Sequence, residues 1–150
     1  MRVVIQRVKN ASVSIKGQIT SEINHGLLLL VGFEQLDNQS DIDWIINKTL
    51  GMRIFSDANQ KMNLSISQIK GDLLIVSQFT LLASTKKGNR PSFIRSASPD
   101  KALDLYNLFV QHIKSTGSLK VKTGEFGSDM QISLINDGPV TITLDSKNKE

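Results

Sequence analysis

Cysteine is absent from this chain of 150 residues. That removes disulfide frameworks, thiolate zinc sites, iron–sulfur clusters and cysteine nucleophiles together, and it fits a reducing compartment. Histidine is nearly as scarce: His25 precedes a glycine, His112 falls on a helical pattern, and neither stands at a metal-ligand spacing to the other or to a carboxylate. No serine occupies a nucleophile-elbow pattern, and there is no phosphate-binding loop or dinucleotide fingerprint. Aromatic residues make up 5%, with one Trp and one Tyr, few for the stacking platforms by which small RNA-binding modules read bases. The longest apolar run, Leu27 to Val31, is far below the roughly 20 residues of a membrane-spanning helix. The start Met1-Arg2-Val3-Val4-Ile5-Gln6-Arg7 lacks the apolar stretch of a signal peptide. These absences predict a soluble, cytoplasmic protein with no metal, cofactor or membrane partner. An enzyme built from this inventory should act on a bond that is labile already.

What is present reads as one domain. Hydrophobic residues account for 39% of the chain, enough at this length for a single core; the domain is taken as residues 1–145, with a frayed tail over 146–150. Val3, Ile5 and Val8 open a strand, and Val13–Ile15 and Ile19–Ile23 flank a Lys16-Gly17-Gln18 turn. Leu27 to Phe33 is apolar almost without interruption, as a strand buried on both faces would be. Helical spacing follows over 40–51, with Ser40 as the expected N-cap and Gly51 as the stop, and again after Ser98-Pro99-Asp100, ending at Gly117. A second buried strand runs from Asp72, and three more are expected over 119–122, 130–135 and 140–144. Two helices among about seven strands, strand-rich at both ends, predict an α+β domain with a mostly antiparallel sheet or partial barrel. The order of elements does not resolve the strand pairing.

Three stretches depart from this plain pattern. Ser77, Gln78 and Thr80 interrupt an apolar strand; buried polar groups are costly unless bonded, so the strand either leaves the core there to meet a ligand or satisfies these groups at a bulge. Lys86, Lys87, Arg90 and Arg95 follow without an acid before Asp100, within a net charge of +4, so they form either a solvated loop or a phosphate contact. Asn136-Asp137-Gly138-Pro139-Val140-Thr141 places a Gly-Pro pair between two apolar alternating segments. Glycine permits dihedrals closed to other residues and proline locks its own φ, so the pair is either a tight turn or a rigid recognition element made of backbone.

The sequence Ser77-Gln78-Phe79-Thr80-Leu81, then Arg90-Pro91-Ser92-Phe93, then Asn136 to Thr141, together with Gln6-Arg7-Val8, Gly51 to Asp57, Lys61 to Leu64, Ala97 to Asp100 and Asp129 to Leu134, closely resembles the bacterial-type D-aminoacyl-tRNA deacylases over essentially the whole chain. The resemblance implies that family's fold and a homodimeric editing enzyme that hydrolyses the ester joining a D-amino acid to the terminal adenosine of tRNA, and also glycine mischarged to alanine tRNA. By similarity, the backbone N–H groups of Phe79 and Thr80 polarise the ester carbonyl, Ser77 and Gln78 hold the adenosine, and Thr80 is the side chain most often nominated as nucleophile. In the family the bond between the Gly138 and Pro139 equivalents is cis, the pair enters the partner subunit's pocket as a chirality gate, and Arg7 matches the residue that braces it. The basic loop, Lys86, Lys87, Arg90 and Arg95, then becomes a tRNA contact. Two alternatives stay open: a related deacylase with a trans Gly-Pro bond that accepts certain L-aminoacyl-tRNAs, and a non-catalytic RNA-binding module.

Overall fold

The computed structural model describes residues 1–117 and 119–149. Its organising element is a long first strand, β1 (Arg2–Ile15), which turns through Lys16 and Gly17 into β2 (Gln18–Ile23) and is followed by β3 (Gly26–Gly32). One edge of β1 is divided between two partners. Arg2 to Val8 pair antiparallel with β3, and Ala11 to Ile15 pair antiparallel with β2. The other edge is occupied by the last strand, β8 (Gln131–Asp145). Beyond β3 lie β6 (Asp72–Ser77) and β7 (Val121–Thr123), both parallel to their neighbours.

Parallel neighbours need crossovers, and the helices supply them. The β3–β6 connection holds α1 (Gln39–Gly51), the small hairpin β4 (Phe55–Ser56) and β5 (Met62–Leu64), and the single turn α2 (Ile66–Ile69); the β6–β7 connection holds α3 (Pro99–Ser115). The Ser21 hydroxyl donates to the Thr123 carbonyl at 2.6 Å, joining β2 back to β7, so the mixed sheet almost closes into a barrel. Val8, Val13, Ile23, Leu28, Leu74 and Val76 form one cluster on the barrel side. Leu27, Leu29, Val31, Leu73 and Ile75 face the other way, against Ile42, Ile45 and Ile46 of α1 and Phe109 and Ile113 of α3. Burial on both faces is why β3 and β6 read as unbroken apolar runs.

Two helix starts differ from expectation in detail. The N-cap of α1 is Asn38, whose side chain accepts from the Ser40 N–H at 2.9 Å while Asp41 accepts from the Asn38 N–H at 3.0 Å; Ser40 is the second residue of the helix. Ser98 does precede Pro99 at the start of α3, but its side chain makes no capping bond. The tail expected to fray is docked over Ser146 to Lys149, while Glu150 lies outside the described residues. Ser146 is buried, its N–H donating to the Met1 carbonyl at 2.9 Å, and Lys149 stands over the Trp44 ring. Lys147 reaches Asp41 at 2.8 Å and Asp37 at 3.5 Å. Burial by itself would raise the Asp41 carboxyl, yet bonds from Lys147, Ser146 and the Asn38 N–H outweigh it and hold the group below the usual carboxylate range.

The β1–β8 ladder contains the feature that matters most for function. Gln6 pairs with Thr141 and Val8 with Asn136, so two steps along β1 correspond to five along β8. Asp137 to Val140 are therefore excluded from the ladder opposite a single residue, Arg7. The chain does not reverse at Gly138-Pro139, as a hairpin turn would; β8 leaves β1 and rejoins it in the same direction. The Gly138–Pro139 peptide bond is cis. Arg7, buried rather than exposed on a strand edge, donates from Nε to the Asp137 carbonyl at 2.8 Å and from Nη1 to the Ile54 carbonyl. Gly138 has φ +139°, and a Cβ there would lie 2.8 Å from Val140 Cγ2 and 2.9 Å from Arg7 Nη2, so only glycine fits.

Lysine cannot reproduce Arg7, because one ammonium does not reach two carbonyls in the geometry of a guanidinium fork. Arg7→Lys is expected to lower the unfolding free energy by about 1–3 kcal/mol, the cost of one orphaned buried carbonyl. Urea titration reads this directly, and an unchanged midpoint would show that both carbonyls find other donors.

Candidate active site

Strand β6 stops because its ladder runs out. Leu73 to Val76 are buried, Ser77 is half-buried, and the Gln78 N–H makes a last bond to the Val31 carbonyl at 2.7 Å. Gln78 then adopts φ −148°, ψ 84°, and the chain winds into a short 3₁₀ turn, Phe79–Leu82. The strand leaves the core at the polar interruption. The first N–H groups of any helical turn have no carbonyl within it to bond. Here those groups belong to Phe79 and Thr80, since the Leu81 N–H already closes on Gln78 (3.4 Å) and the Ala83 N–H on Thr80 (3.1 Å).

Contacts from three sides hold this turn. The Ser96 hydroxyl donates to the Phe79 carbonyl at 3.3 Å. Arg2 donates from Nη1 to the Leu81 carbonyl at 3.2 Å while its Nε bonds Asp145 at 2.8 Å. Gly32 lies beneath: a Cβ there would stand 2.7 Å from the Gln78 carbonyl oxygen, so the turn approaches β3 only over a glycine. Arg2 and Gly32 were not foreseen as site residues. Gly32 carried a faint signal as the glycine closing an apolar run, and Arg2 carried none.

The turn borders a cleft of about 490 Å³ lined by Val76, Ser77, Gln78 and Phe79 on one side and by Phe126 and Met130 on another. The Thr80 hydroxyl accepts a bond from the Gln78 carboxamide at 2.5 Å. A carboxamide N–H is a donor, so this partner orients the hydroxyl without taking its proton. His112 is paired with Asp43 at 3.0 Å, and His25 stacks edge-on against Phe55 and lies 3.9 Å from Asp137. Among the described residues, no cluster of three or more His, Asp or Glu side chains is placed to hold a metal ion.

The basic loop is a flap pinned at its base by a reciprocal pair of 2.9 Å backbone bonds between Ser84 and Ser92. Phe93 on the flap packs against Phe79 on the turn, ring centroids 5.0 Å apart. Lys86, Lys87 and Arg90 are exposed and form no ion pair among the described residues. Arg95 differs: its guanidinium is held by Glu34 at 2.6 Å.

The structure thus unites Ser77, Gln78, Phe79 and Thr80, with the flap beside them, but does not bring Gly138, Pro139 and Arg7 to the same cleft. Arg7 pairs with Leu27, whereas the cleft begins at Val31, about 13 Å further along β3 at 3.3 Å per residue. Gly138 and Pro139 are exposed.

The family model described as D-Tyr-tRNA(Tyr) deacylase matches residues 4–145. A D-aminoacyl-tRNA deacylase of Flavobacterium johnsoniae is 55% identical over 150 residues, covering 100% of each chain. Among solved structures, the c-Myc DNA Unwinding Element Binding Protein superposes with a TM-score of 0.92 at 37% identity, covering 97% of this chain and 98% of the other. A probable eukaryotic D-amino acid tRNA deacylase gives 0.78 at 18% identity over 95% and 97%, a likeness of fold. Matched from the third residue of β1 to the last of β8 and more than half identical to a full-length relative, the chain belongs to the D-Tyr-tRNA(Tyr) deacylase family.

Proposed function

We propose that this protein is an aminoacyl-tRNA editing hydrolase that cleaves the ester of D-aminoacyl-tRNA, releasing the free D-amino acid and tRNA, and that also removes glycine mischarged to alanine tRNA. The observation that carries the reading is the 3₁₀ turn: two backbone N–H groups without acceptors in their own turn, at the edge of a cleft, in a member of this family. An aminoacyl ester is activated by its own ammonium group and the neighbouring ribose hydroxyl, so positioning and oxyanion stabilisation supply much of the acceleration. The Phe79 and Thr80 N–H groups receive the developing oxyanion, while Ser77 and Gln78 hold the adenosine. Water attacks the carbonyl, and the tetrahedral intermediate collapses with departure of the ribose oxygen, which takes up the proton the water gave and leaves as a hydroxyl. Attack by the neighbouring ribose hydroxyl would move the ester to that oxygen, and water would then hydrolyse it in the same way. Thr80 shapes the site. Its hydroxyl has no base among its hydrogen-bond partners, which argues against a nucleophilic role.

Gly138-Pro139 is the chirality gate, delivered into a partner's cleft in a homodimer. The distance between the two motifs within one chain supports a site completed in trans, and the bracing by Arg7 supports a rigid loop. With ester and ammonium pinned, an L-residue drives its Cβ into rigid carbonyls, a D-residue points it outward, and glycine has nothing to clash; selection by exclusion leaves the side chain unread. Lys86, Lys87 and Arg90 contact tRNA phosphates, with Arg95 securing the flap through Glu34. Its substrate places the protein in the cytoplasm.

Deacylation of matched D- and L-tyrosyl-tRNA tests the reading. Turnover of the D-substrate alone is expected; L-turnover would indicate a deacylase with relaxed chirality, and no turnover an RNA-binding module. Thr80→Ala should retain most of its single-turnover rate, whereas a loss of several orders of magnitude would assign Thr80 the attack. Replacing Lys86, Lys87 and Arg90 together by neutral residues should make the plot of log affinity for tRNA against log salt shallower by about 2–3; an unchanged slope would remove them from the RNA contact.

A further inference from the structure

We propose that the Asn136 carboxamide sets how far Gly138-Pro139 projects and thereby governs rejection of L-aminoacyl esters, a positioning role that rests on the gate reading above. The excluded loop has two limbs, each needing partners for backbone groups removed from the ladder. On the first limb, Arg7 takes the Asp137 carbonyl. On the second, the Val140 N–H donates to Asn136 Oδ1 at 2.7 Å, and Asn136 Nδ2 donates to the Val140 carbonyl at 3.3 Å and to Thr141 Oγ1 at 2.9 Å. A primary amide offers one acceptor and two donors. Asn136 thus gives Val140 the same pair of partners that a facing strand residue would, closing the neck of the loop with a side chain where β1 has no residue to spare.

This clamp is coupled to the gate by packing. Val140 is buried, and its Cγ2 lies beneath Gly138, within 2.8 Å of where a Cβ would stand. Displacing Val140 therefore displaces Gly138. A wedge that excludes by contact fails once it recedes by about the length of one carbon–carbon bond, roughly 1.5 Å, because that is all the L-residue's Cβ requires. The D-residue never touches the wedge, so its hydrolysis is insensitive to the change.

The test uses Asn136→Ala, which removes both bonds to Val140, and Asn136→Asp, which keeps an acceptor for the Val140 N–H but sets a carboxylate oxygen against the Val140 carbonyl. In single-turnover deacylation of D- and L-tyrosyl-tRNA, the D-to-L rate ratio of Asn136→Ala is expected to fall at least tenfold through a faster L-rate. Hydrogen exchange at the Val140 amide should accelerate at least tenfold. A smaller fall in the ratio with a loosened Val140 amide would overturn the proposal, since the neck would then open without loss of discrimination. An unaccelerated Val140 amide would overturn it by showing that the limb is held otherwise. Should Asn136→Ala not fold, Asn136→Asp carries the test with a threefold fall as its threshold. Equal turnover of both enantiomers by the unaltered protein would instead reject the gate reading and this inference with it.

Discussion

A backbone group withdrawn from a β-ladder must find another partner. The 3₁₀ turn and the Gly-Pro loop both lie where a strand abandons its neighbour: β6 at Gln78, and β8 between Asn136 and Thr141. At each departure side chains take over the bonding. Arg2 and Ser96 donate to carbonyls of the 3₁₀ turn, and Arg7 and Asn136 donate to carbonyls of the Gly-Pro loop. Of these four side chains, Asn136 lies in a stretch that departs from the plain sequence pattern, whereas Ser77, Gln78 and Thr80 belong to the segment being held.

That division explains how a chain with so few catalytic side chains can belong to a hydrolase family. Removing one oxyanion donor from an enzyme costs about 2.7–4 kcal/mol, so a pair of them supplies on the order of 5–8 kcal/mol. A general base contributes about 10²–10⁴-fold, roughly 3–5 kcal/mol. For an ester already activated by its ammonium group, a pair of rigidly held donors would outweigh a general base. The turn that would present such donors is held by the bare backbone of Gly32 beneath it and the guanidinium of Arg2 beside it.

Much of this architecture was legible from residue patterns, and the gaps have physical causes. The β1–β2 hairpin, the doubly buried β3 and both long helices follow from period and turn chemistry. Parallel pairing of β3, β6 and β7 does not, because order along the chain says nothing about which edges meet. The helix start moved from Ser40 to Asn38 because both residue types cap well and tertiary context chose between them. The tail reads as frayed because termini fray unless tied down; Lys147 answers two acidic groups, Asp37 and Asp41, that lie more than a hundred residues away. In the site, Ser77 to Thr80 stood out as polar interruptions. The Gly-Pro loop looked like a chain reversal because a bulge of four residues and a turn share the same vocabulary of Asn, Asp, Gly and Pro.

One consequence follows from the two arginines of β1. Arg2 secures the turn that carries Phe79 and Thr80, and Arg7 secures the loop that carries Gly138 and Pro139. They are five positions apart on one strand, an odd interval that sends them to opposite faces and separates them by about 17 Å at 3.4 Å per residue. A single extended strand therefore acts as the molecule's ruler, its rise fixing the span between the 3₁₀ turn and the Gly-Pro loop. A deletion or insertion anywhere between Arg2 and Arg7 would change that span by a whole residue and turn one of its two ends to the wrong face, whatever became of the motifs themselves.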